Sequence, residues 1–210
     1  MTEHSMQGKK IILVRHGETE WNRLRRFQGR TDIPLNQKGN DQARALALAL
    51  KDEALTAIYS SPLGRAMETA QHIGSFHPAT PVLKEQGLVE MDLGEFEGMD
   101  ARQWAAEHVD FRKVWERKPA TLPMPGGESL RQVQLRAVEA LERIAESHGA
   151  GSTLLLCAHN FVIATLLCFA LGIDLDQFRQ LRQDTAALNI LHNNGTAFEV
   201  ETVNDCRHLE

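Results

Sequence analysis

Two histidines, two arginines and one glutamate stand out, because each sits just past an apolar run that reads as a buried strand, or at the start of the helix that follows one. Ile11–Val14 runs into Arg15, His16 and Gly17, and Thr153–Cys157 runs into Ala158, His159 and Asn160. Ala57–Tyr59 is followed by "SSPLGR", which puts Arg65 in the first turn of a helix. A third short strand, Pro81–Leu83, leads into "GLVEMDLGEFEG", which carries Glu90. In an open α/β sheet these positions share one rim, beyond the carboxyl ends of the strands, where ligands bind. Arginine presents a planar fork of donors that suits phosphate oxygens and stays charged at any working pH. A neutral imidazole nitrogen can attack phosphorus. A second, protonated histidine can donate to the phosphoryl oxygens, and a carboxylic acid opposite can protonate the leaving oxygen and then deprotonate water. Helix N-terminal amides beside the two arginines complete a phosphate site.

Each residue taken singly has a plainer reading. Arg15 after a strand is commonly a surface cation, His159 a satisfied core histidine and Glu90 a loop acid. Arg65 is poorly placed for the dipole of its own helix, which favours an anionic partner. The five converging at one rim are what make the functional reading the better one. The other histidines, His4, His72, His77, His108, His148, His192 and His208, show no metal-ligand spacing and read as surface or packing residues. Glu68 and Thr69 in "GRAMETA" read as ordinary helix residues.

The elements that must position these groups alternate. Helices are expected over Gln42–Asp52, after a turn at Asn36–Gly39; over Leu63–Ile73, between Pro62 and Gly74; over Ser129–Ser147; and over the strongly apolar Phe161–Leu171. Ser129 with Gln132 three residues on forms a capping-box pattern. Ala187–Leu191 and Thr196–Val203 flank "HNNG", whose Asn194–Gly195 pair signals a hairpin. Alternating strands and helices imply a three-layer α/β/α sandwich, with a mostly parallel central sheet and an antiparallel edge. The segment from about 90 to 128 breaks the alternation with Trp104, Phe111, Trp115 and "PMPGGE". It reads as a small helical cap within a single domain spanning 1–210.

Composition bounds the function. The 210 residues are 42% apolar and 24% charged, the profile of a globular protein with its own core. A net charge of −5, from 28 acidic and 23 basic residues, argues against nucleic-acid or anionic-membrane partners but leaves room for a local positive pocket. Cys157, Cys168 and Cys206 are odd in number; the first two lie in apolar runs and read as buried free thiols. "MTEHSMQGKK" lacks an apolar leader core, and no apolar stretch reaches membrane-spanning length, so the expected location is cytoplasmic. No Walker-type or dinucleotide-binding glycine motif occurs. The partners expected are a small phosphorylated metabolite and, through the edge hairpin and apolar helix, a second copy: the chain is a monomer or a homodimer.

"LVRHGETEWN" resembles the signature of the histidine phosphatase superfamily, in the branch that includes cofactor-dependent phosphoglycerate mutases. "RFQGRTDIPLNQKG", "IYSSPLGRAMETA", "GLVEMDLGEFEG", "PGGESL" and "CAHNFVI" are similar to its later blocks, in order, so the likeness covers nearly the whole chain. It implies that His16 is the nucleophile that becomes phosphohistidine. It implies that Arg15, Arg65 and His159 bind the phosphoryl group, that Asn22 adds an amide contact, and that Glu90 is the general acid and base. Gln28, Gly29 and Thr31 would line the entrance. No cofactor and no metal is implied, since histidine attack between cationic donors does that work. The chain departs from the pattern at Asn160, where the family often has glycine. Asparagine tolerates positive φ, and near phosphate its side chain would add a donor or narrow the pocket.

The resemblance implies a metal-independent phosphomonoester phosphatase acting on a small phosphorylated metabolite; α-ribazole phosphate, phosphoserine and phosphoglycerates are candidates. The alternative is a cofactor-dependent phosphoglycerate mutase working through 2,3-bisphosphoglycerate, but mutases tend to carry a longer cap and "EMDLGEFEG" is nearer the phosphatases. A non-catalytic binding module would lack a nucleophile, acid or arginine, and none is missing.

Overall fold

Ile11, Ile12, Leu13 and Val14 are all buried, and they alternate between two cores. Ile11 and Leu13 pack on one face of the sheet, Ile12 on the other. Such a run, apolar at every position, is what a strand covered on both faces requires. The computed structural model describes residues 8–210; the expectations for His4 and for the amino-terminal "MTEHSMQ" lie outside them.

The strands are β1 (Lys9–Arg15), β2 (Leu55–Ser60), β3 (Val82–Lys84), β4 (Thr153–Ala158), β5 (Leu188–Asn193) and β6 (Phe198–Asp205). They form one sheet in the order β3-β2-β4-β1-β5-β6. β1 to β4 are mutually parallel, while β5 runs antiparallel to β1 and β6 antiparallel to β5. The sheet is therefore mostly parallel with an antiparallel edge, and the hairpin closes at "HNNG" as the sequence implies. Helices α2 (Gln37–Ala49) and α3 (Gly64–Gly74) cover one face through Leu46, Ala66, Ala70 and Ile73. Helices α6 (Leu130–Glu146) and α7 (Asn160–Leu171) cover the other. α7 is buried on nearly every side, which accounts for its unbroken apolar character. The cap holds α4 (Ala101–Glu107) and α5 (Val109–Arg117). It joins the second core through Trp104 and Trp115, with Phe111 packed against it.

Two local readings are corrected. α2 begins at Gln37, five residues before the expected start, because the Asn36 side chain accepts the Gly39 amide (2.8 Å) and so caps a helix where a turn was read. Gly39 is glycine for a packing reason: a Cβ there would lie 2.0 Å from the Glu18 carbonyl oxygen. The single turn α1 (Glu20–Arg23) was not foreseen. At four residues it has no periodicity to read, and a reciprocal capping box between Thr19 and Asn22 holds it. The box expected at Ser129 and Gln132 is present at the start of α6.

Candidate active site

The rim is set by strand register. Arg15 pairs with Ala158 across β1 and β4, so His16 and His159, one residue further on, emerge side by side. Their ring centroids are 5.1 Å apart, and both residues are buried. His16 Nδ1 lies 2.7 Å from the Gly17 carbonyl oxygen. A carbonyl only accepts, so Nδ1 carries the proton and the Nε2 lone pair is free. Burial, and then Arg65 and Arg15, push the His16 pKa well below 6.5, so the ring is neutral at physiological pH. A neutral ring with one committed N–H and one open lone pair is a nucleophile.

His159 is also pushed well below 6.5, first by burial and then by Arg65, His16 and Arg15. Without an anion beside it, the ring is therefore neutral at physiological pH. Protonation has to come with the anion, whose negative charge against the ring opposes that of the two arginines. Ser61 was missed from sequence, yet it holds the ring. Its Oγ accepts the Leu63 amide (3.4 Å) and lies 2.7 Å from His159 Nε2. The other ring nitrogen, Nδ1, is buried without a protein partner.

The two arginines are unequal. Arg65 is 1% exposed. Its Nη1 donates to the Thr31 carbonyl (2.9 Å) and its Nη2 to the Gly29 carbonyl (2.7 Å). With the Gln28 amide oriented to satisfy both ends, its nitrogen donates to Thr19 Oγ1, and its oxygen accepts from Arg65 Nη1 (2.9 Å) and Nε (2.8 Å). Four of the five guanidinium hydrogens are thus committed, leaving one on Nη2. Burial lowers the Arg65 pKa to about 10, against the opposing pull of Glu90 and Asp32, so it remains a cation at pH 7. Arg15 donates from Nη1 to the Gln183 carbonyl (2.5 Å), and its Nε is buried without a partner. Arg15 is the open fork, and Arg65 acts mainly as a fixed charge. Gln28, Gly29 and Thr31, expected at the entrance, form the cradle that holds Arg65. Gly29 has φ of +51°, and a Cβ there would meet Glu97 Oε1 at 2.0 Å.

Glu90 is buried, which raises its pKa against the Met91 amide and the charges of Arg65 and Arg15. Its carboxylate accepts from the Met91 amide (2.9 Å) and the Phe161 amide (3.4 Å). A carboxyl held toward its protonated form is a general acid. The backbone that presents it is clamped by Arg136, another residue missed from sequence. Its guanidinium donates to the carbonyls of Gly87 (2.9 Å), Val89 (2.6 Å) and Glu90 (3.1 Å) and to both oxygens of Glu128. Glu97 does the same for the entrance loop, accepting from the amides of Arg30 (2.6 Å) and Thr31 (2.8 Å). Thr69 is also more than a helix residue: its hydroxyl accepts the Gly17 amide (3.1 Å) and fixes the chain just after His16. Its spacing of four from Arg65 was the available signal.

The helix amides go elsewhere than expected. The Gly64 amide at the head of α3 donates to Asp32, and the Phe161 amide in α7 to Glu90. In Asn22 the amide oxygen accepts from the Thr19 amide, which leaves its NH₂ as the outward donor. Asn160 is the first residue of α7 and does not have positive φ, so its place there owes nothing to a left-handed backbone. Among the described residues no three His, Cys, Asp or Glu side chains gather as a metal site, and no helix is long and apolar enough to cross a membrane.

The sequence model of the histidine phosphatase superfamily (branch 1) matches residues 11–206. Phosphoserine phosphatase 1 of Hydrogenobacter thermophilus is 36% identical over 183 residues, 87% of this chain and 86% of that protein. A probable phosphoglycerate mutase, GpmB, of Photorhabdus laumondii is 33% identical over 207 residues, 96% of this chain and 95% of its own. Among solved structures, Bacillus stearothermophilus YhfR superposes with a TM-score of 0.89 at 33% identity, covering 96% of this chain and all of that one.

Proposed function

Because the chain belongs to the histidine phosphatase superfamily, we propose that it hydrolyses a small phosphomonoester through a phosphohistidine on His16. The observation that carries this is the pair of neighbouring buried rings. One has its Nδ1 hydrogen committed to Gly17 and its lone pair free; the other keeps a buried ring nitrogen, Nδ1, without a protein partner. Arg15, Arg65 and the Asn22 amide hold the phosphate dianion, and its charge raises the affinity of His159 for a proton. His16 Nε2 attacks phosphorus, the ester P–O bond breaks, and Glu90 gives its proton to the departing oxygen. Glu90, now a carboxylate, takes a proton from water as that water attacks phosphorus, and the P–N bond breaks to restore His16. Glu90 suits both steps because burial raises its pKa while two arginines keep the anion accessible. The relatives named phosphoserine phosphatase support hydrolysis, and the names of others keep a mutase in view. A need for 2,3-bisphosphoglycerate in converting 3-phosphoglycerate to 2-phosphoglycerate separates the two.

The test is acid quenching during turnover of ³²P-labelled substrate, followed by peptide mapping. Acid-labile label on His16, absent in His16→Ala, is the expected result. Label on any other residue refutes the assignment. A cytoplasmic location and a monomer or homodimer complete the reading; fractionation and light scattering test them.

A further inference from the structure

Arg15 and His16 are gripped by one short segment, residues 183–187, which lies just before β5. The Arg15 amide donates to the Ala187 carbonyl (3.0 Å), the Ala186 amide to the His16 carbonyl (3.1 Å), and Arg15 Nη1 to the Gln183 carbonyl (2.5 Å). Ala186 has φ of +58°, a conformation that costs a residue with a Cβ and persists only where the surroundings impose it. The segment therefore has to be held from outside.

Two asparagines of the edge hairpin do this. Asn189 on β5 is fully buried, and a buried amide costs free energy unless its groups are paired. Its NH₂ donates to Gln183 Oε1 (2.8 Å) and to the Leu13 carbonyl (3.3 Å), and its oxygen accepts the Asn204 amide (2.8 Å). That last bond needs a break in β6. The register shifts between Leu188 and Ile190, so that Val203 and Asn204 both stand opposite Asn189. Such a bulge bends the strand and re-aims a side chain. Asn204 sits in it at φ of +53°, which asparagine tolerates. Its side-chain oxygen accepts the Asp184 amide (2.7 Å), and its NH₂ donates to the Asp184 carboxylate (2.9 Å). The Asp184 N–H and the Gln183 C=O are the two ends of one peptide group. That group is planar, so holding its N–H fixes the direction of its carbonyl, and Arg15 takes its bearing from that carbonyl. Asp184 adds charge as well: burial lowers the Arg15 pKa, and Glu90 and Asp184 oppose it.

We propose that Asn189 and Asn204 are positioning residues for phosphate binding: they hold the Gln183–Asp184 peptide, and through it they aim the free donors of Arg15 at the phosphoryl group. This rests on the phosphatase reading above and extends the working site to β6, the edge strand of the sheet.

The experiment is a double-mutant cycle on the full chain, read as kcat/KM for p-nitrophenyl phosphate and as the inhibition constant of vanadate. Asn204→Gly keeps the left-handed backbone and the amide to Asn189 and removes the side-chain bonds to Asp184. It should lower kcat/KM and weaken vanadate at least about tenfold, against the roughly 100-fold that a misplacement of about 1 Å costs. In an Arg15→Ala background the same substitution should cost less than about twofold, since the group it aims is gone. Asn189→Thr, which suits a strand but has no NH₂, should follow the same pattern. Asn204→Asp sets a second carboxylate against Asp184 and should cost at least as much as Asn204→Gly; adding Asp184→Asn restores a donor–acceptor pair and should recover most of the loss. No loss, an equal loss with and without Arg15, or a swap that recovers nothing overturns the proposal and leaves the asparagines as residues of the fold alone. Labelling of His16 by p-nitrophenyl phosphate in the unmodified chain keeps the two readings apart: a failed cycle with His16 labelled sinks the positioning role alone, and absence of the label sinks the phosphatase.

Discussion

Arg136→Met tests whether the Glu90 carboxyl works only when its backbone is clamped. The substitution keeps most of the side-chain volume and removes every donor. It strips the carbonyls of Gly87, Val89 and Glu90 of their guanidinium partner and leaves Glu128 without its bidentate cation. The pair is well enclosed, with side-chain exposures of 21% and 16%, so solvent compensates only in part. Breaking a buried ion pair from one side costs about 3–5 kcal/mol, and the lower end applies here because Glu128 keeps Arg30 (3.2 Å) and the Asp92 amide (3.0 Å). At roughly 2–4 °C per kcal/mol for a chain of this size, the melting temperature should fall by about 6–12 °C. The catalytic signature is separate. If Arg136 acts through Glu90, kcat/KM should drop steeply for alkyl phosphates, whose alkoxides need a proton, and little for p-nitrophenyl phosphate. Differential scanning fluorimetry and a leaving-group series measure both effects. An equal loss for good and poor leaving groups would refute the positioning role and reduce Arg136 to a structural residue.

Ser61→Ala removes the partner that holds the His159 ring through Nε2 (2.7 Å); kcat/KM should fall about 100-fold, the scale of losing one preorganised donor, with little change in melting temperature. Gly29→Ala forces a Cβ toward Glu97 at positive φ. It should unseat Arg65 and weaken inhibition by vanadate about tenfold or more, read as the inhibition constant; unchanged inhibition would separate the loop from Arg65. The pH dependence of stability has a definite sign. The folded pKa values of His16 and His159 lie below 6.5, so as pH falls through 6.5 the unfolded chain takes up protons that the folded one refuses, and stability drops. Urea titrations of a His16→Asn/His159→Asn variant should show a shallower acid loss. Glu90 contributes the opposite slope above 4.5, where the unfolded chain ionises first; Glu90→Gln should flatten the loss as pH rises, and an unchanged slope would remove the burial argument.

The chain by itself determined most of the elements and which groups gather at the sheet rim. Runs such as Ile11–Val14 and Leu154–Cys157 are apolar at every position because both faces are covered, so strand, sheet class and rim position could be read from them. Arg15, His16, Arg65, Glu90 and His159 were legible because strand ends are where such a sheet places its ligands. The division of labour among them was not. Register between β1 and β4 brings the two rings to 5.1 Å, and register is a property of pairing, not of either strand. Arg65 proves nearly saturated by Gln28, Gly29 and Thr31, residues 34 to 37 positions away, so Arg15 is the freer fork. His159 is neutral at rest because burial and four neighbouring cations or rings act together. Ser61, Thr69, Glu97 and Arg136 are ordinary polar residues in one dimension and become supports only when folding carries their partners to them. Local patterns encode periodicity and local chemistry; desolvation, donor competition and proton placement depend on what is packed alongside, and that exists only in three dimensions.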